Sequence, residues 1–239
     1  MRRTVQTLES IYEEICRSSY PLEWDENHVS FQLMTRLRQI FGHRIIHFTN
    51  WSKIVDWQSF KNRGKQETHY GDIALLVNIQ FSSGETLKGV ACLEAKRSYS
   101  SGNYESMDLN QLSALVSKVP YSHLLLYDHE VHELQLKFPD ELTWRSHFWV
   151  SPINTATNHL RELSSNANHR LLRTSFPFSM FLTGRIFWGF DLDFREEVYE
   201  DVATGITRLL DPSFLGIVNV YYDHQKPIDV GIGNIWEKI

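Results

Sequence analysis

With 239 residues, 42% of them hydrophobic, the chain can bury one substantial core, or one core plus a smaller appendage. Its two cysteines, Cys16 and Cys92, exclude a disulfide scaffold and a zinc ribbon, and acidic residues interrupt the N-terminal region before any apolar run reaches the length of a signal or membrane segment. The expectation is a cytoplasmic protein with no membrane partner.

A net charge of −5 excludes nucleic-acid binding by general surface attraction, but the charge is unevenly spread. Residues 1–120 carry 14 Lys and Arg against 13 Asp and Glu, and residues 121–239 carry 10 against 16. Any nucleic-acid surface is therefore expected on the N-terminal half. The acidic, aromatic C-terminal half is expected to meet another protein chain, either a partner subunit or a second copy in a homo-oligomer.

Val5, Leu8, Ile11, Tyr12 and Ile15 recur at helical spacing, which predicts an amphipathic first helix. A second helix is predicted from Glu26 to Phe41, with Val29, Leu33, Leu37 and Ile40 on one stripe and Gly42 as its stop. Ile45 to Phe48 reads as a short strand, followed by a polar loop. Within that loop Trp57-Gln-Ser-Phe60-Lys61-Asn-Arg63-Gly-Lys65 interleaves aromatics with three cations, a composition suited to a solvated surface or to gripping a nucleic-acid backbone.

Asp72 to Phe81 is strand-like, Ser82 to Glu85 makes a turn, and Leu87 to Ala95 returns as a second strand. The open end of this hairpin holds Asp72 and Glu94. Leu109, Leu112, Leu115, Val116 and Val119 predict a helix that Pro120 stops, and His123 to Tyr127 is a buried apolar strand. Beyond residue 128 the pattern predicts a strand over 134–138, helices over 155–163 and 196–210, and a last strand from Phe214 to Tyr222. His129-Glu-Val-His132 reads as a surface turn because no further ligand pattern accompanies it. Phe176, Phe178, Phe181, Phe187 and Trp188 read as core, with a subunit interface as the alternative.

Glu94 and Lys96 are two apart on a predicted strand and therefore project from one face, while Ala95 points the other way. Asp72 should be the neighbour of Glu94 across the hairpin. Paired carboxylates suit a hard cation such as Mg²⁺ (or Mn²⁺), and a lysine beside it can orient an attacking water or offset charge on a phosphorane. Because Lys96 is not itself a ligand, its removal is expected to leave the fold largely intact.

Gly71-Asp72-Ile73, Leu93-Glu94-Ala95-Lys96 and the Asp108-Leu-Asn-Gln111-Leu helix together resemble the PD-(D/E)XK, or restriction-endonuclease-like, nuclease superfamily over roughly residues 23–128. The resemblance implies an α/β fold with a mixed central sheet flanked by helices. It would place a nuclease core over 1–150 and a C-terminal α+β extension over 151–239. It implies a metal-dependent nuclease, most readily of DNA, with Asp72 and Glu94 as metal ligands and Lys96 acting on the nucleophile. Glu26 would add a third metal ligand, and Gln111 would support the site. Glu23 and Asp25 compete with Glu26 for its place, and Gly71 stands where the family name carries proline. Short nucleases of this kind resemble effector subunits of prokaryotic defence systems. The rivals are a catalytically inactive nuclease-like module that binds nucleic acid or a partner protein, and a carboxylate-pair glycosidase, which Lys96 and the hairpin disfavour.

Overall fold

A computed structural model describes residues 2–47, 52–63, 71–136, 142–162, 169–205 and 212–239. Helix α1 (Arg2–Ser19) runs past both ends of the predicted stripe, since Thr4, Cys16 and Ser19 continue the buried face made by Val5, Leu8, Tyr12 and Ile15. Helix α2 (Glu26–Phe41) has the expected bounds. The Asp25 carboxylate accepts the His28 N–H at 2.9 Å, and the Gly42 N–H donates to the Arg38 carbonyl at 2.8 Å, so each end has its cap. Strand β1 (Arg44–His47) follows, Phe48 lying outside the described residues.

The expected polar loop is instead a strand, β2 (Ser52–Asn62), which pairs with three others inside the sheet. Trp57 and Phe60 are buried, so they are core and not a nucleic-acid grip. The Trp57 indole N–H donates to Ser59 Oγ at 2.9 Å, and the Ser59 hydroxyl donates to the Met34 carbonyl at 2.7 Å. Those two bonds let polar residues occupy a buried strand. Lys65 lies outside the described residues.

The hairpin forms as β3 (Ile73–Gln80) and β4 (Thr86–Arg97), and then come α3 (Leu109–Lys118), β5 (His123–Leu136), β6 (Leu142–Pro152) and α4 (Ile153–Glu162). A 3-10 turn at His169–Thr174 leads to β7 (Phe176–Pro177) and α5 (Phe178–Gly184). A second turn, Ile186–Trp188, precedes α6 (Glu196–Thr204), β8 (Phe214–Tyr221) and β9 (Trp236–Lys238). The strands form one nine-stranded sheet in the order β1-β2-β8-β3-β4-β5-β6-β7, with β9 on β2. β3 runs parallel to β8 and β4 parallel to β5, while the other pairs are antiparallel. The class is α/β with a mixed central sheet flanked by helices. Residue 150 falls inside β6, and β8, from the C-terminal region, lies between β2 and β3.

Both faces of the sheet are covered, which is why β3 is apolar without a break from Ile73 to Val77. Ile73, Leu75 and Val77 face one core with Leu8, Leu33, Phe178 and Phe181, and Ala74 and Leu76 face a second with Leu112, Leu115, Leu160 and Val202. Phe178, Phe181 and Phe187 are core, as expected.

One buried carboxylate within this packing is titratable. Glu9 on α1 accepts a hydrogen bond from the Ser179 hydroxyl through Oε1, while its buried Oε2 has no hydrogen-bond partner. Burial pushes its pKa up to about 7 against the hydrogen bond of Ser179. The folded state therefore holds the proton more tightly than the unfolded chain. Stability is full below about pH 4.5, falls as pH rises toward 7, and levels off beyond. Glu9→Gln should remove that fall and raise Tm at pH 8 by about 2–4 °C for about 1 kcal/mol, with the gain shrinking toward pH 4.5. Melting curves across that range test it, and a Tm difference independent of pH would refute the assignment.

Candidate active site

The register of β3 with β4 pairs Ile73 with Leu93, and the Asp72 N–H donates to the Leu93 carbonyl at 2.9 Å, so Asp72 stands across from Glu94. Residues opposed in an antiparallel pair share a face. The chain enters β3 through Gly71 at φ 89°, where a Cβ would lie 3.2 Å from the Leu93 carbonyl oxygen. Proline, fixed near φ −65°, cannot adopt that conformation, which gives a physical reason for glycine at this position. The Ala95 N–H donates to Asp72 Oδ2 at 2.8 Å and orients that carboxylate toward β4.

Glu94 is 2% exposed. The Lys96 ammonium donates to Glu94 Oε1 at 2.8 Å and to Glu26 Oε2 at 3.3 Å. The Gln111 amide donates to Glu94 Oε1 at 3.2 Å from the first turn of α3, which Asp108 caps. All five predicted residues thus come together, from β3, β4 and the first turns of α2 and α3. Of the acids before α2, Asp25 is the helix cap, Glu23 lies 3.4 Å from His28 near the surface, and Glu26 reaches Lys96. Arg97 points away, as its place in the strand requires, and binds the Trp24 carbonyl and Glu105.

Three carboxylates around one ammonium leave an excess of buried negative charge. Burial raises the Glu26 pKa to about 9, with Asp72 adding to the effect and Lys96 opposing it. Burial and Asp72 lift Glu94 to about 7 against Lys96. For Lys96, burial works against the ammonium, but Glu94, Glu26 and Asp72 more than offset it and hold its pKa above the usual lysine value. Glu94 Oε2 is buried without a hydrogen-bond partner. Glu26, Asp72 and Glu94 do not bring three oxygens within 4.8 Å of one another, since the Lys96 ammonium stands between Glu94 and Glu26. A cavity of about 550 Å³ lies elsewhere, at the other end of β4 beside Thr86, Lys88 and Tyr199.

A second cluster escaped the sequence reading. Asp128, His132 and His169 place one ligand atom each within 4.8 Å of the others, an arrangement able to hold a metal ion. The supposed surface turn at 129–132 is part of β5, whose register against β6 shifts between Tyr127 and His132 and turns His132 back onto Asp128. His129-x-x-His132 was a partial signal, but the working pair is Asp128 with His132. No spacing pattern announces His169, which arrives from a turn beyond α4.

No helix among the described residues is long and apolar enough to cross a membrane. Compared with known proteins, the chain matches no family model, no curated protein and no solved structure.

Proposed function

We propose that this chain is a divalent-metal-dependent nuclease with a PD-(D/E)XK-like core, hydrolysing phosphodiester bonds, most readily those of DNA. The observation that carries the reading is the charge imbalance at the hairpin's open end. Two buried carboxylates and a partly buried third face a single ammonium, and Glu94 Oε2 is without a hydrogen-bond partner. That donor set is all oxygen and anionic, which fits Mg²⁺ or Mn²⁺. Asp72 and Glu94 would hold the ion, with Glu26 joining after its side chain leaves Lys96. The ion, when bound, supplies Lewis acidity toward a phosphate oxygen and a water of lowered pKa.

The chain's own groups do the rest. The Ala95 N–H and the Gln111 amide fix the two carboxylates. Lys96, with its raised pKa, stays charged and acts as a positive group beside the phosphate, not as a base. The effector role in a defence complex, and a partner subunit or second copy meeting the C-terminal half, belong to this proposal. Trp188, Phe190 and Phe194 are exposed there.

The test is incubation of plasmid and single-stranded DNA with Mg²⁺, Mn²⁺ or EDTA. Cleavage with either metal and none in EDTA is the expected result. No cleavage under any condition, with Mn²⁺ still raising Tm, would make the catalytically inactive module the better reading.

A further inference from the structure

We propose that Asp128, His132 and His169 bind one transition-metal ion of the Zn²⁺ class, at a site separate from the carboxylates of β3 and β4. His132 Nε2 and His169 Nε2 each lie 3.0 Å from Asp128 Oδ2, and the two imidazole centroids are 4.3 Å apart at 63°. His132 has hydrogen-bond geometry to Asp128, but His169 does not. Its Nε2 is buried and makes no hydrogen bond despite that separation. A ring nitrogen and a carboxylate oxygen lie within ligand spacing of each other, with no hydrogen bond between them to account for it. Ligand atoms about 2.0–2.2 Å from a zinc ion have this relation to one another. On binding, the ion takes the lone pair of each ligating Nε2, and each neutral ring keeps its proton on Nδ1.

The surroundings are built to hold these ligands still. Asp128 is fully buried, and it accepts hydrogen bonds from the Tyr104 hydroxyl at 2.8 Å, the Ser98 hydroxyl at 3.0 Å and the Glu130 N–H at 3.0 Å. These partners fix the carboxylate from outside the ligand set. Gly102, at φ 77°, lies against the His169 ring, and a Cβ there would come 3.2 Å from its Cε1. Two imidazoles and one carboxylate favour zinc and its neighbours over magnesium, and three protein ligands leave a fourth position open. The ion would fasten the His169–Thr174 turn to β5. Ser98, which donates to Asp128, stands just past the end of β4 and two residues beyond Lys96, about 7 Å along the extended chain, so the two sites are neighbours.

The experiment titrates EDTA-stripped protein with Co²⁺ and follows its visible absorption, in the parent and in Asp72→Asn/Glu94→Gln, which removes two of the three carboxylates of the other site. One equivalent of Co²⁺ should give an intense four- or five-coordinate band in both, displaced by Zn²⁺. Loss of supporting groups outside the ligand set already costs about 10–100-fold in affinity. His132→Ala and His169→Gln should therefore weaken Co²⁺ binding by at least about 100-fold. His169 is only partly buried, so its variant should still melt cooperatively. No band in the parent, or unchanged affinity in a folded His169→Gln, would overturn the proposal and leave the cluster as a hydrogen-bonded aspartate.

Discussion

Glu94→Gln should lower metal-dependent DNA cleavage by at least about 10²–10³-fold while leaving the protein folded. Glutamine keeps the volume and an acceptor for the Lys96 ammonium, but it removes the charge on an oxygen pair already set in place by Lys96 and Gln111. Glu94 is buried and its pKa is raised to about 7, so neutralising it in metal-free buffer at pH 8 relieves a cost and should not lower Tm. The parent should gain Tm on addition of Mg²⁺, which the imidazole cluster disfavours, and the variant should not. Asp72→Asn should behave alike, since the Ala95 N–H can still donate to the amide oxygen. Cleavage by Glu94→Gln at the parent rate would remove the carboxylates from the mechanism.

Lys96→Met should destabilise the metal-free protein by about 3–5 kcal/mol at pH 8, against the initial expectation that loss of this side chain leaves the fold largely intact. The ammonium is mostly buried and is the cation shared by Glu94 and Glu26. Methionine fills the space but strands the Glu94 carboxylate, while Glu26, its pKa raised to about 9, mostly keeps its proton at pH 8. In Tm terms the loss is about 6–20 °C, readable by calorimetry in EDTA. Adding Glu94→Gln to Lys96→Met should return much of it. If Lys96→Met melts with the parent, the buried ion pair is not formed in solution, and the raised lysine pKa goes with it.

The legible parts of this fold were local. The bounds of α2 followed from Asp25, the apolar stripe and Gly42, and the hairpin followed from two apolar runs around Ser82-Ser-Gly84. The same alternation of side chains placed Glu94 and Lys96 on one face, and the turn length placed Asp72 opposite. β2 was hidden because Lys53, Asp56, Gln58 and Ser59 break its apolar pattern, while the bonds that satisfy Ser59 come from Trp57 and from Met34 on α2. The place of β8 between β2 and β3, and the meeting of His169 with Asp128, depend on pairings distant in the chain. No local period encodes those.

That position of β8 also bears on when the protein becomes itself. β3 carries the entry to the candidate site, and its partner on one side is a strand in which Phe214 meets Ile73. Until the chain through Tyr221 has been synthesised, β2 and β3 are exposed edges with no strand between them, and their pairing must wait on a long loop closure. A ribosome-bound nascent chain would thus hold Asp72 on an unfinished sheet. For a chain whose proposed activity would damage the cell's own DNA, a sheet that cannot close before β8 is made defers that hazard until then.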